Sequence, residues 1–217
     1  MDTRSVDREL RATIWPALRK QGFDARASRI AWRYATGVEL VEISSVGRYW
    51  DEVGCTPFSL TARVGAIPPF VRPRQPIPER NGQLRPHYWH CDPLHWGLSK
   101  TLSQPWFHPF AQPPRSNLLP GVALHREGMM KVLRRDVHDR PDVWFVNEDG
   151  SNLSEVISDL LTVIEGEGLA MLQQFSNPEA VIGLVQSGKL ICRPGSPVAN
   201  ELMGQARAYR RNSDPMP

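Results

Sequence analysis

Long apolar runs are missing from this sequence. The longest clean ones are of the size of Ala180–Val185, far short of the roughly 20 residues that cross a bilayer, so a transmembrane segment is excluded. Nor is a secretory leader expected. Asp2, Arg4, Asp7, Arg8 and Glu9 stand where such a leader would need a short basic stretch and then an apolar one, which predicts a cytoplasmic protein with no membrane partner. Cysteine is scarce and odd in number. Cys55, Cys91 and Cys192 are scattered, which offers no disulfide framework and suits reduced thiols. No Gly-x-Ser-x-Gly elbow and no Gly-x-x-x-x-Gly-Lys-Ser/Thr phosphate loop occur. Gly166-Glu167-Gly168 lacks the third glycine of a dinucleotide fingerprint and follows a helical pattern, so it reads as a helix break.

What is present describes a globular chain. With 217 residues, 41% of them apolar, one decorated domain is expected at about 150 residues per domain. Proline is the excess: 13 of 20 prolines fall between Pro57 and Pro120, which predicts a long irregular excursion. The formal charge of +3 conceals an uneven distribution. Nine acidic residues stand against Arg140 alone from Asp139 to Gly188, while the chain ends in a basic tail with Arg207, Arg210 and Arg211. A nucleic-acid footprint needs basic residues interleaved with aromatics, and here only Tyr209 stands among the terminal arginines, so that partner is disfavoured.

Periodicity sets the elements. Val6, Leu10, Ile14 and Leu18 form one apolar helix face, with Pro16 predicting a kink or early end and Gly22 a terminator. Ile30, Trp32 and Tyr34 alternate, Ala35-Thr36-Gly37 breaks the run, and Val38–Ser44 returns, which reads as a hairpin. Further strands are expected at Phe58–Val64 and Val143–Val146, with short ones around Tyr88–Leu98 and Val122–Leu124. Asn152 with Glu155 reads as a capping pair for a helix carrying Leu153, Val156, Ile157, Leu160, Leu161 and Ile164. Asn177-Pro178 opens another helix, and Ser196-Pro197 a last, weaker one.

The fold class that follows is α+β. An antiparallel sheet of four to five strands packs against N-terminal and C-terminal helices, with a proline-rich insertion at about residues 66–121. Residues 1–188 read as one domain and 189–217 as a C-terminal extension. Four stretches together resemble bacterial domain-of-unknown-function family 4304: Leu18-Arg-Lys-Gln-Gly22-Phe23, Phe58-Ser-Leu-Thr-Ala-Arg-Val-Gly65, Val143-Trp144-Phe145, and Gly168-Leu-Ala-Met-Leu172-Gln-Gln-Phe175-Ser176. The resemblance implies an α+β domain of bacterial type and assigns no catalytic residue.

The densest chemistry lies in His87-Tyr-Trp-His90-Cys91-Asp92-Pro-Leu-His95-Trp96. One reading is zinc held by His87, His90, Asp92 and His95 in a metal-dependent hydrolase. Against it, Pro86 and Pro93 prevent a shared helical face, and structural sites usually draw ligand pairs from separate elements. A second reading makes Cys91 a nucleophile beside His90 or His95, although a catalytic base normally arrives from elsewhere in the fold. Glu155 with Asp159, and Glu165 with Glu167, read as a solvated acidic face. The favoured reading needs no cofactor. It is a non-enzymatic interaction module whose Trp89, Trp96, Trp106 and Phe107 contact a protein partner, with the acidic helices steering it toward a basic one.

Overall fold

A computed structural model describes residues 1–46, 56–104 and 141–213. Asp2 caps the first helix, α1 (Thr3–Glu9), by accepting from the Ser5 N–H at 2.9 Å. Of the kink or early end expected at Pro16, the early end does not occur. Leu10–Ile14 runs in π register and α2 (Trp15–Lys20) carries on through the proline. A π turn displaces the hydrogen-bond ladder by one residue, which accommodates a position that cannot donate. Gly22 then terminates the helix with φ +84°, and the Phe23 N–H reaches back to the Leu18 carbonyl at 3.1 Å. Val6, Leu10, Ile14 and Leu18 are all at most 1% exposed, so the four-residue period marks a truly buried face.

The described strands are β1 (Ala25–Ala27), β2 (Ile30–Tyr34), β3 (Val38–Ser45), β4 (Leu60–Ile67), β5 (Glu79–Arg80), β6 (Gln83–Leu84) and β7 (His95–Gly97). Five of them form one antiparallel sheet in the order β1-β2-β3-β4-β7, and β5 with β6 makes a small ribbon. β2 and β3 pair through Ala35–Gly37, with Tyr34 opposite Val38, as the alternation predicts. Gly37 is required there, because a Cβ would lie 2.2 Å from the Ile67 carbonyl oxygen. Two expectations shift. Tyr88–Leu98 contains a 3₁₀ turn (Tyr88–Cys91) before the three residues of β7, and Val143–Val146 contributes one bridge, Leu60 to Trp144, rather than a strand. The strand expected at Val122–Leu124 lies outside the described residues.

Helices α3 (Leu153–Val163), α4 (Leu169–Phe175), α5 (Pro178–Gln186) and α6 (Pro197–Ser213) complete the α+β fold. The glycine pair does not break the helix. Ile164–Gly168 is a second π turn joining α3 to α4, and Gly168 lets the helix approach Val64 and Leu98, whose methyls would lie 3.2 and 3.4 Å from an added Cβ. Asn177 caps α5, accepting from Glu179 and Ala180 with Pro178 in the first turn. Asn152 does not form the expected box with Glu155. Its side chain accepts from the Asn147 N–H and donates to the Phe145 carbonyl, each at 2.8 Å, closing the turn that precedes α3. The segment read as a weak terminal helix is 17 residues long, buries Ala199, Leu202 and Ala206, and packs on α5.

Contacts divide the chain into two compact units, each discontinuous in sequence: Met1–Ile14 with Ser44–Ala62 and Ser99–Val163, and Trp15–Ile43 with Arg63–Leu98 and Ile164–Pro217. In the first, α1 and its π turn pack on α3, and Leu60 and Trp144 exchange backbone hydrogen bonds of 2.9 Å in both directions. The second holds β1, β2, β7, most of β3 and β4, and the histidine cluster described next.

Candidate functional site

Strand alternation decides what the second unit presents. The register pairs Ala25 with Trp32, Ala27 with Ile30, Trp32 with Leu40, and Ile30 with Glu42, so these residues share one side of β1, β2 and β3. Ile30, Trp32, Leu40 and Ile67 are buried against Cys91, with Ile77 and Tyr88 packed at the margin. Within the described part of the proline-rich stretch, Ile67, Ile77, Tyr88 and Cys91 therefore pack as a cover over this face. Burying Ile30, Leu40 and Ile67 there contributes about 1.5–3 kcal/mol each by transfer of apolar surface. Gly65 makes the seat possible, since a Cβ on it would fall 2.9 Å from the Cys91 Cβ and 3.0 Å from its Sγ.

Polar contacts fix the turn on that seat. Glu42, only 8% exposed, accepts from the Tyr88 N–H at 3.3 Å and lies 3.6 Å from His87 Nδ1, a charge contact beyond hydrogen-bond range. The His87 N–H donates to His90 Nδ1 at 2.9 Å. That bond requires a neutral His90 with its proton on Nε2. Trp89 stacks on the His87 ring at 4.0 Å and 7°, and Tyr88 meets Trp89 edge-on at 5.4 Å. Tyr88 in turn has the Arg63 guanidinium over its ring at 4.3 Å and His95 stacked at 5.3 Å. Both ring nitrogens of His95 are buried without a hydrogen-bond partner. Burial lowers the pKa of His90 and of His95 below the ordinary imidazole value, and for His95 the Asp92 carboxylate partly opposes this.

The opposite side of the strands meets helix. Glu39, 4% exposed, is bound by Arg33 Nε and Nη2, each at 2.6 Å, and by the Ser176 hydroxyl at 2.9 Å just beyond α4. β2 and β3 are thus covered on both faces, whereas the sequence reading gave the sheet one apolar face. In the first unit, Asp159 corrects the expected acidic face. It is 8% exposed and accepts from the Trp144 indole N–H at 2.7 Å, the Thr101 N–H at 3.1 Å and the Thr101 hydroxyl. Glu155, Glu165 and Glu167 remain exposed as expected.

The sequence-derived contact residues separate. Trp89 is 43% exposed and projects from the 3₁₀ turn. Trp96, adjacent to His95 on β7, points to the other side and donates its indole N–H to Glu167 at 2.8 Å. Trp106 and Phe107 lie outside the described residues, as do Cys55, His108, His125 and His138. His87, His90, Asp92 and His95 sit on one segment, yet among the described residues no group of three His, Cys, Asp or Glu side chains is placed to hold a metal ion. Cys91 is 1% exposed, and burial, with Glu42 adding, pushes its thiol far above the ordinary range, so it supplies no thiolate for attack. Arg210 pairs with Glu179 across α5 and α6. Glu42 and Glu39 were missed, because a strand that alternates Val-Glu-Leu-Val-Glu-Ile looks half-solvated until both its faces are seen to be covered.

The class defined so far is an α+β protein in which no described helix is long and apolar enough to cross a membrane. Compared with family models, curated proteins and solved structures, the chain matches none.

Proposed function

We propose that this chain is a non-enzymatic, cytoplasmic interaction module of bacterial type whose principal contact with a protein partner is Trp89. The observation that supports it is the braced exposure of that side chain: 43% exposed, yet stacked on His87, whose backbone is tied to His90. A tryptophan held before binding loses little rotamer freedom on contact, which is how a small aromatic patch gains affinity. The buried, proton-bearing Cys91 thiol favours this reading over nucleophilic chemistry. Exposed Glu165, and Glu167 bound to the Trp96 indole, favour a basic segment in the partner. A photoreactive benzoylphenylalanine in place of Trp89, an aromatic ring itself, should form a discrete adduct in cells. The same probe at Ile191, 65% exposed, should not. With the captured partner purified, Trp89→Ala should weaken binding about 30-fold, the scale of an interface hot spot. Identical adducts at positions 89 and 191, or no adduct at 89, would refute the reading.

A further inference from the structure

The same turn carries a second property that requires no partner. The cover over the Trp32–Leu40 face is held by imidazoles that must stay neutral. His90 Nδ1 can accept the His87 N–H only while unprotonated, and a protonated His90 would turn a second donor toward the first. His95 has both nitrogens sealed from solvent with nothing to bind them, so a proton there creates a cation without a hydrogen-bond acceptor. We propose that the Tyr88–Cys91 turn is a proton-operated cover, which seats on the sheet at neutral pH and lifts when His90 and His95 take up protons.

The surrounding charges set the direction. Facing His95 are Arg63 from β4, Glu42 from β3, Asp92 from the segment itself and the Tyr88 ring. Facing His90 are His87 and the Trp89 ring. Glu42 and Asp92 favour a proton on His95, Arg63 opposes it, and desolvation outweighs them all. His87 also faces this cluster, its Nδ1 3.6 Å from Glu42. With the cover seated, both imidazoles are held below the ordinary value of 6.5; with it lifted, they return there. The lifted state therefore binds more protons, and seating is weakened progressively as pH falls below about 6.5. Between pH 7.5 and 5.5 each histidine can shift the equilibrium by up to about tenfold.

Cys91 reports the cover because its sulfur lies beneath it. The full chain would be labelled with 4,4′-dithiodipyridine at pH 7.5 and 5.5, with each cysteine located by peptide mass spectrometry and its rate normalised to a free thiol peptide at the same pH. Labelling of Cys91 should rise at the lower pH, by up to about a hundredfold for the two histidines together, while Cys192 stays flat. His90→Asn, which keeps an acceptor near the Nδ1 position, and His95→Phe, which fills the ring site without nitrogens, should each reduce the rise and together abolish it. An unchanged Cys91 rate in the wild type, a rise that survives both substitutions, or Cys192 rising in step with Cys91 would each overturn the proposal. Because no partner enters the measurement, its failure leaves the Trp89 reading to its own test.

Discussion

Gly65→Ala tests whether the Tyr88–Cys91 turn is seated on the sheet as tightly as described. An added Cβ would stand 2.9 Å from the Cys91 Cβ, 3.0 Å from its Sγ and 3.5 Å from the His95 Cβ. The first of these is an atom fixed to backbone, so relief requires the turn to move, at a cost of about 1–3 kcal/mol, typical of overpacking. Cys91→Gly removes both close atoms and costs about 1–2 kcal/mol on its own through lost burial and added chain freedom. The double variant should then be no less stable than Cys91→Gly alone, a coupling of about 1 kcal/mol or more. Cys91→Ala supplies the control. It deletes the sulfur but keeps the nearer Cβ, so it should fail to rescue. Urea unfolding followed by circular dichroism measures all six proteins, the wild type, the three single variants and Gly65→Ala combined with each Cys91 variant, with an unchanged m-value required for comparison. Additive costs within about 0.5 kcal/mol, or a neutral Gly65→Ala, would show that the turn does not rest on β4 in this way.

Asp159→Ala strands the buried Trp144 indole N–H and the Thr101 N–H, and should cost about 3–5 kcal/mol in urea unfolding. Asp159→Asn keeps an acceptor and should cost less than half of that. Gly37→Ala drives a methyl into the Ile67 carbonyl and should cost at least about 3 kcal/mol, read as a lowered midpoint of thermal unfolding. Ser28 holds φ +53° in the turn between β1 and β2, so Ser28→Gly should stabilise by about 0.5–1 kcal/mol and raise the urea midpoint. A drop in the midpoint would mean that Ser28 makes compensating contacts.

How much of this was legible in the sequence follows from the range of the forces involved. The first helix face, the β2–β3 hairpin, the Gly22 terminator and the Asn177-Pro178 cap are local codes, written within a few residues, and each stands where the residues predict. Another local code went unread amid the prolines. Asn81-Gly82, with φ +54° and +73°, is the two-residue turn that joins β5 to β6. The roles of Asp159 and Glu42 were not legible, because each is decided by donors 58, 46 or 15 residues away in the chain, and Glu39, although Arg33 stands only six residues off across the hairpin, is also bound by Ser176, 137 residues away. An acid whose partners are that distant has the same local context as one in water. Likewise, His95 and Trp96 are neighbours in sequence but opposites in the sheet, and only pairing with β4 says which one faces the histidine cluster.

Among the described residues, the two outermost strands of the sheet, β1 and β7, are three residues each. A stranger chain seeking to extend the ladder would find so little rail that only a few bonds could form before the template ran out. Brevity at both margins thus guards the fold against runaway stacking into fibrils, a protection that owes nothing to charge and would be forfeited by any insertion that lengthened either strand.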